Sequence, residues 1–182
     1  MTHSKLKELV IQEKPNHYIV DDYIEELKKY LISMPYHEIR REVISGYNRF
    51  IRSKCISSLD FNLRINVGDI VFCDFGQAYL NEAGFQHFGL VLKIFNYKAF
   101  VVPMSSNRQT VQKAQNHPNR IDYKDHLFYI GMPKGLNRPS VLFLNDAKFI
   151  NTARIIEVKS YLNVDSPLFK QIIQSYQDLF TV

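Results

Sequence analysis

The 182-residue sequence has no tryptophan, two cysteines, and only seven glycines and seven prolines. Two cysteines are too few for a disulfide framework, and Cys55 and Cys73 stand in no metal-binding spacing. Cys73 lies in the apolar run Ile70-Val71-Phe72-Cys73, where it reads as a small buried hydrophobe, whereas Cys55 reads as a surface thiol. No stretch approaches the ~18–20 consecutive apolar residues of a membrane span. Residues Met1 to Glu8 carry both signs of charge and lack the apolar centre of a signal peptide, so a cytoplasmic location is expected. The six histidines are scattered, and no group of Asp, Glu and His has metal-ligand spacing. Any chemistry is therefore expected to need neither metal nor cofactor. With 46% hydrophobic and 23% charged residues, the chain is too apolar to be disordered. Its length suits one ordinary domain, or a domain carrying an appendage.

What is present is charge in one place. The formal net charge is +5. Between Lys93 and Lys148 stand nine basic residues (Lys93, Lys98, Arg108, Lys113, Arg120, Lys124, Lys134, Arg138 and Lys148) against Asp122, Asp125 and Asp146, a net +6. The remaining 14 basic and 15 acidic residues give −1. A basic segment beside a near-neutral remainder fits either an anionic partner such as nucleic acid or a solvated basic face.

The hydrophobic period changes along the chain. Leu6, Leu9 and Val10 fit a short amphipathic turn. Asp21-Asp22 then leads into Tyr23, Ile24, Leu27, Tyr30 and Leu31 at helical spacing. Pro35 breaks that run, and Ile39, Val43, Tyr47 and Phe50/Ile51 form a second stripe. The spacing predicts a helical hairpin joined by Met34-Pro35-Tyr36, within an N-terminal helical extension over residues 1–58. From residue 64 to 182 a barrel domain is expected. Strands are predicted over 70–75, 89–95, 99–104, 127–130, 140–144 and 154–158, with a turn at Asn96-Tyr97-Lys98. Short strands without intervening helices suggest a small antiparallel barrel. Residues 107–124 are polar and basic and read as a long loop. Asp165-Ser166-Pro167 caps a C-terminal amphipathic helix carrying Leu168/Phe169, Ile172/Ile173, Tyr176 and Leu179/Phe180.

Four segments, in order, carry a family resemblance. Val67-Gly68-Asp69-Ile70-Val71-Phe72-Cys73-Asp74-Phe75 resembles an opening strand written G-D-[IV]-[VW]-x-[VA]-[DN]-[FL]. Glu82 to Leu92 is similar to E-x-x-G-x-R-P-x-L-V-L in the acid and the apolar strand, with the glycine displaced. Val101-Val102-Pro103-Met104-Ser105-Ser106 is similar to V-V-P-[IL]-T-S, and Ser140 to Ile155 parallels the closing strand pattern. Together, over about residues 66–182, they resemble the PemK/MazF family of toxin endoribonucleases. The resemblance implies an α+β fold that is mainly β, with an SH3-like small antiparallel barrel of the PemK/MazF/CcdB type. It further implies a homodimer, cleavage of single-stranded RNA through the RNA's own 2′-hydroxyl without metal, and inhibition by an acidic antitoxin. Neither a membrane nor direct DNA contact is implied.

Carried onto this chain, the family's catalytic Arg position falls on His87 and its Thr position on Ser105. The first is a departure, because His is shorter and only partly charged at neutral pH. An imidazole with its ordinary pKa near 6.5 nevertheless serves as acid or base around neutrality. Ser105 can hold a phosphate oxygen or orient the 2′-hydroxyl, and Arg108 can supply cationic help to the phosphorane. Gln86, Ser106, Lys148 and Arg154 complete the expected substrate-binding set, with Arg154 equally readable as structural. Glu82 either orients His87 or faces solvent in its loop. Tyr79, Phe85, Phe88 and Tyr97 can stack on unpaired bases or serve the core and a dimer interface. Two other functions share these residues. One is a non-catalytic SH3-barrel binding module that has lost the arginine, and the other is a topoisomerase-poisoning barrel.

Overall fold

The computed structural model describes Lys7, residues 17–115 and residues 125–181. The expected turn at Leu6, Leu9 and Val10 lies outside them. Helix α1 spans His17–Ser33 and α2 spans Tyr36–Arg52. Pro35 lacks the N–H that would continue α1, and its carbonyl instead accepts from Glu38 and Ile39 to begin α2. Glu38 in the first turn of α2 and Arg49 and Arg52 in the last suit the helix dipole. Among the described residues no helix is long and apolar enough to cross a membrane.

The chain divides into two units, residues 1–44 and 45–182, and α2 runs across the division. Within the second unit, the end of α2 turns a polar face inward. Ser45 and Asn48 donate to the buried Asp74 carboxylate at 3.0 and 3.2 Å. The Arg52 guanidinium donates to the carbonyls of Ala153 and Ile155 and lies 4.0 Å from the centre of the Phe61 ring. Tyr47, Phe50 and Ile51, expected on the buried stripe, are exposed. The reason is the target: a buried carboxylate and two backbone carbonyls need donors, and an apolar helix face offers none.

Seven antiparallel strands follow: β1 Asp69–Asp74, β2 Gln86–Phe95, β3 Lys98–Ser105, β4 Leu127–Gly131, β5 Ser140–Phe143, β6 Lys148–Asn151 and β7 Ile155–Tyr161. The order across the sheet is β4-β5-β3-β2-β1-β7. The last rungs of β3 pair with β5, whereas its first half pairs with β6. One strand thus serves two partners on the same edge, which bends the sheet into the barrel-like curl expected. Both positive-φ residues of the β2–β3 turn, Asn96 and Tyr97, suit a tight two-residue hairpin.

Alternation along the central strands builds two cores. Ile70, Leu90, Leu92, Val102 and Met104 pack with Phe169 and Ile172 of the C-terminal helix. Val71, Cys73, Val91, Ala99 and Val101 point the other way, joined by Phe75, Ile150 and Ile155. Ser166 caps the C-terminal helix, accepting from Phe169, with Pro167 at its first position as the sequence predicts. Gly68 has φ +92°, and a Cβ there would collide with the Leu162 carbonyl. Next to it, the Asp69 carboxylate accepts from the Asn66 N–H at 2.7 Å, and burial pushes its pKa upward.

Two differences from expectation concern short elements. The polar stretch after Ser105 is not all loop: Arg108–Gln115 forms helix α3, capped by Asn107, and residues 116–124 lie outside the description. A helix whose cap is one asparagine and whose residues are nearly all polar gives no apolar period to read. Strand β6 is too short for alternation to declare it, and lies between two single-turn 3-10 helices at Leu144–Asp146 and Thr152–Arg154. Numbered in chain order, the C-terminal helix Pro167–Asp178 is α4.

Candidate active site

The register of the sheet brings His87 and Ser105 to one place. The last rung between β2 and β3 is Phe88↔Met104. His87 and Ser105 are the next residues on those strands, at the end of the sheet remote from the Asn96-Tyr97 turn. Phe88 and Met104 face the core that holds the C-terminal helix, so alternation turns His87 and Ser105 to the opposite face. On that face His87 sits across from Cys73 of β1. The Cys73 thiol is fully buried, and burial pushes its pKa strongly upward, so it is an inert wall rather than a nucleophile.

The loop between β1 and β2 borders the His87 side, and it is held firmly. Phe75 and Gly76 exchange backbone hydrogen bonds with Phe85 at 2.8 and 2.6 Å, closing its neck. Asp74, just before it, accepts from the Gly76 N–H at 2.8 Å in addition to Ser45 and Asn48. Arg154 donates to the Phe75 carbonyl at 3.1 Å. Ala83 is gripped on both backbone groups: its N–H donates to Asp146 at 3.0 Å, and its carbonyl accepts from Lys148 at 3.3 Å. The Lys148 ammonium also lies 5.5 Å from the centre of the Phe75 ring. That ring packs close to Gly89, where a Cβ would stand 3.3 Å from its edge and 2.5 Å from Val101. Glu82 closes its own turn, accepting from the Tyr79 N–H at 3.2 Å, and is exposed.

The Ser105 side combines a rung to β5 with a locally closed turn. Ser105 pairs with Val141 of β5, and its hydroxyl oxygen accepts from the Asn107 N–H at 3.1 Å. Asn107 in turn accepts from Gln109 and Thr110, starting α3. Ser106 and Arg108 are exposed on this turn. Gln86 begins β2 opposite Asp74, and its Nε2 is buried without a hydrogen-bond partner.

The predicted residues are thus partly gathered. His87, Ser105 and Lys148 belong to one face, with Arg154 beside the same loop. The +6 segment, by contrast, is divided. Lys93 and Lys98 flank the β2–β3 turn, at the end of those strands away from His87 and Ser105. Arg120 and Lys124 lie outside the described residues. Tyr79 projects fully from the β1–β2 loop, Phe88 packs against Phe72, and Tyr97 sits at the remote turn. Sequence reasoning missed Asp74 and Asp146, which secure the loop. An aspartate closing an apolar strand, and Asp146 two residues before Lys148, were the available signals.

The curled antiparallel sheet, with helices before and after it, defines the α+β class read from the motifs. Solved structures similar to this chain include MazF (Form-I) from Deinococcus radiodurans, 16% identical, covering 66% of this chain and 99% of that one at a TM-score of 0.48. The MazE–MazF structure (Form-II) from the same organism is also similar, at 16% identity and a TM-score of 0.44, covering 65% of this chain and 96% of that one. No protein-family profile and no curated protein matches the chain.

Proposed function

We propose that this chain is a metal-independent endoribonuclease of the toxin type, acting on single-stranded RNA and restrained by an acidic antitoxin. The observation that supports the reading is the register, in which His87 and Ser105 are the next residues beyond the Phe88↔Met104 rung. The two motif positions come from segments well separated in sequence, and they meet on one face.

In the proposed reaction the RNA 2′-oxygen attacks the adjacent phosphorus, and the bond to the 5′-oxygen breaks. The 2′-hydroxyl proton leaves to a base, and the 5′-oxygen takes a proton from an acid. His87 acts as one of these and Ser105 holds a phosphate oxygen or the 2′-hydroxyl. Arg108, exposed beside Ser105, supplies charge to the phosphorane. Ser106 flanks the pair and contacts a flanking nucleotide, and Glu82, Lys148 and Arg154 line the approach. The active form is a homodimer in the cytoplasm.

The test is cleavage of a single-stranded RNA in excess EDTA, with analysis of the new ends. The expected products carry a 5′-hydroxyl and a 2′,3′-cyclic phosphate, and His87→Ala slows their formation by about 10²–10⁴-fold. Protein freed of any copurifying partner that leaves RNA intact contradicts the proposal. One observation favours a second reading, a binding module without turnover. Lys148 and Arg154 already donate to loop carbonyls, so less of their hydrogen-bonding capacity is available to a phosphorane. That reading predicts RNA or protein binding that His87→Ala leaves unchanged. A topoisomerase poison would instead inhibit supercoiling.

A further inference from the structure

Helix α1 carries an apolar seam whose first half is exposed. Val20, Ile24, Leu27 and Leu31 follow one another at intervals of four, three and four, the spacing of a coiled-coil stripe. Val20 and Ile24 are 50% and 55% exposed, and the flanking Tyr23 and Tyr30 are 53% and 55% exposed. Leu27 and Leu31 are half-buried. An isolated helix of 17 residues is marginal in water without a face to bury.

The charges on this helix are sorted by position. Asp21, Asp22, Glu25 and Glu26 occupy its first half, and Lys28 and Lys29 follow in the second. A parallel neighbour of the same sequence would set like charges side by side. An antiparallel neighbour sets the acidic half against the basic half, and the helix dipoles favour the same orientation.

We propose that α1 pairs antiparallel with α1 of a second copy of this chain. Val20 then faces Leu31 of the second copy and Ile24 faces its Leu27, with the two-fold axis crossing between Glu25 and Glu26. That centre lies beside the middle of His17–Ser33, so the helices overlap along almost their whole length. One strip flanking the seam carries Asp21 and Lys28, one heptad apart. In an antiparallel pair this strip meets itself, so Asp21 of each copy approaches Lys28 of the other. The other strip carries Tyr23 and Tyr30, which meet in the same way and extend the apolar contact. A single five-turn helix pair is a small interface, so it assembles reversibly. This pairing does not rest on the nuclease reading.

The test is sedimentation velocity of the full-length chain over a wide range of concentration, with a charge-swap series. Asp21→Lys alone and Lys28→Asp alone each replace two attractions with two repulsions, weakening self-association on the order of tenfold. The double variant Asp21→Lys/Lys28→Asp restores it. These positions are on the solvated edge of the helix, so circular dichroism at concentrations where each variant is associated should match the unaltered chain. Self-association that ignores all three variants, or that the double variant fails to restore, overturns the proposal. A chain that keeps one mass at every concentration also overturns it, leaving the α1 face to a partner of another kind.

Discussion

The two sides of the candidate site are supported in different ways. The His87 side is bordered by a loop tied down from outside itself, through Asp74, Asp146, Lys148 and Arg154. The Ser105 side is paired to β5 at Val141, and beyond that rung its turn is closed by neighbours in sequence, from the Ser105 hydroxyl to Asn107 and on into α3, which lies against β4 and β5. The difference teaches where precision resides. A loop held by partners 63 and 65 positions away is fixed by the fold and moves only if the fold moves. The turn after Ser105 is closed by hydrogen bonds only two or three residues apart, so it can loosen at smaller cost to the sheet than the loop can.

The largest break in that comparison is Asp74→Ala. It removes the shared acceptor of Ser45, Asn48 and Gly76, and leaves buried donors without a partner. The expected cost is about 2–4 kcal/mol in a urea titration of the full chain. An unchanged midpoint would show that water replaces the carboxylate freely. Asp146→Ala is milder, because only the Ala83 N–H loses its acceptor while Lys148 still holds the carbonyl. It should cost about 0.5–1.5 kcal/mol, with hydrogen exchange quickening at Ala83 ahead of the sheet. Uniform quickening across β1 and β2 would mean that the loop is not a separate unit.

Asn107→Ala addresses the other side and is the smallest. Loss of the cap weakens α3 by about 1 kcal/mol, but exchange in α3 rises while the global unfolding midpoint barely moves. A large fall in that midpoint would erase the distinction between the two sides.

Much of the sheet was legible because alternation is a property of side chains. The strands around Ile70, Leu90, Val102 and Leu142 announce themselves through apolar runs, and Ser166-Pro167 announces the last helix. The facing of the end of α2 was not legible. Ser45, Asn48 and Arg52 recur at helical intervals as a polar stripe, which normally marks a solvated face. Only a buried Asp74 and two bare carbonyls make it the inner one. The same reason hid the engagement of Lys148 and Arg154. Their acceptors are backbone oxygens of Ala83 and Phe75, and a backbone oxygen has no residue type to read. His87 and Ser105 emerged as a pair through motif order, and the register adds that they adjoin across the end of β2 and β3.

If these two side chains act together at one reacting phosphate, a double-mutant cycle reads that coupling. Single-turnover RNA cleavage would be followed in EDTA for the unaltered chain, His87→Ala, Ser105→Ala and the double variant. The double variant is expected to be scarcely slower than His87→Ala alone, since groups serving one transition state lose their effects non-additively. Rate losses that simply multiply, or single variants that cleave as fast as the unaltered chain, would contradict it.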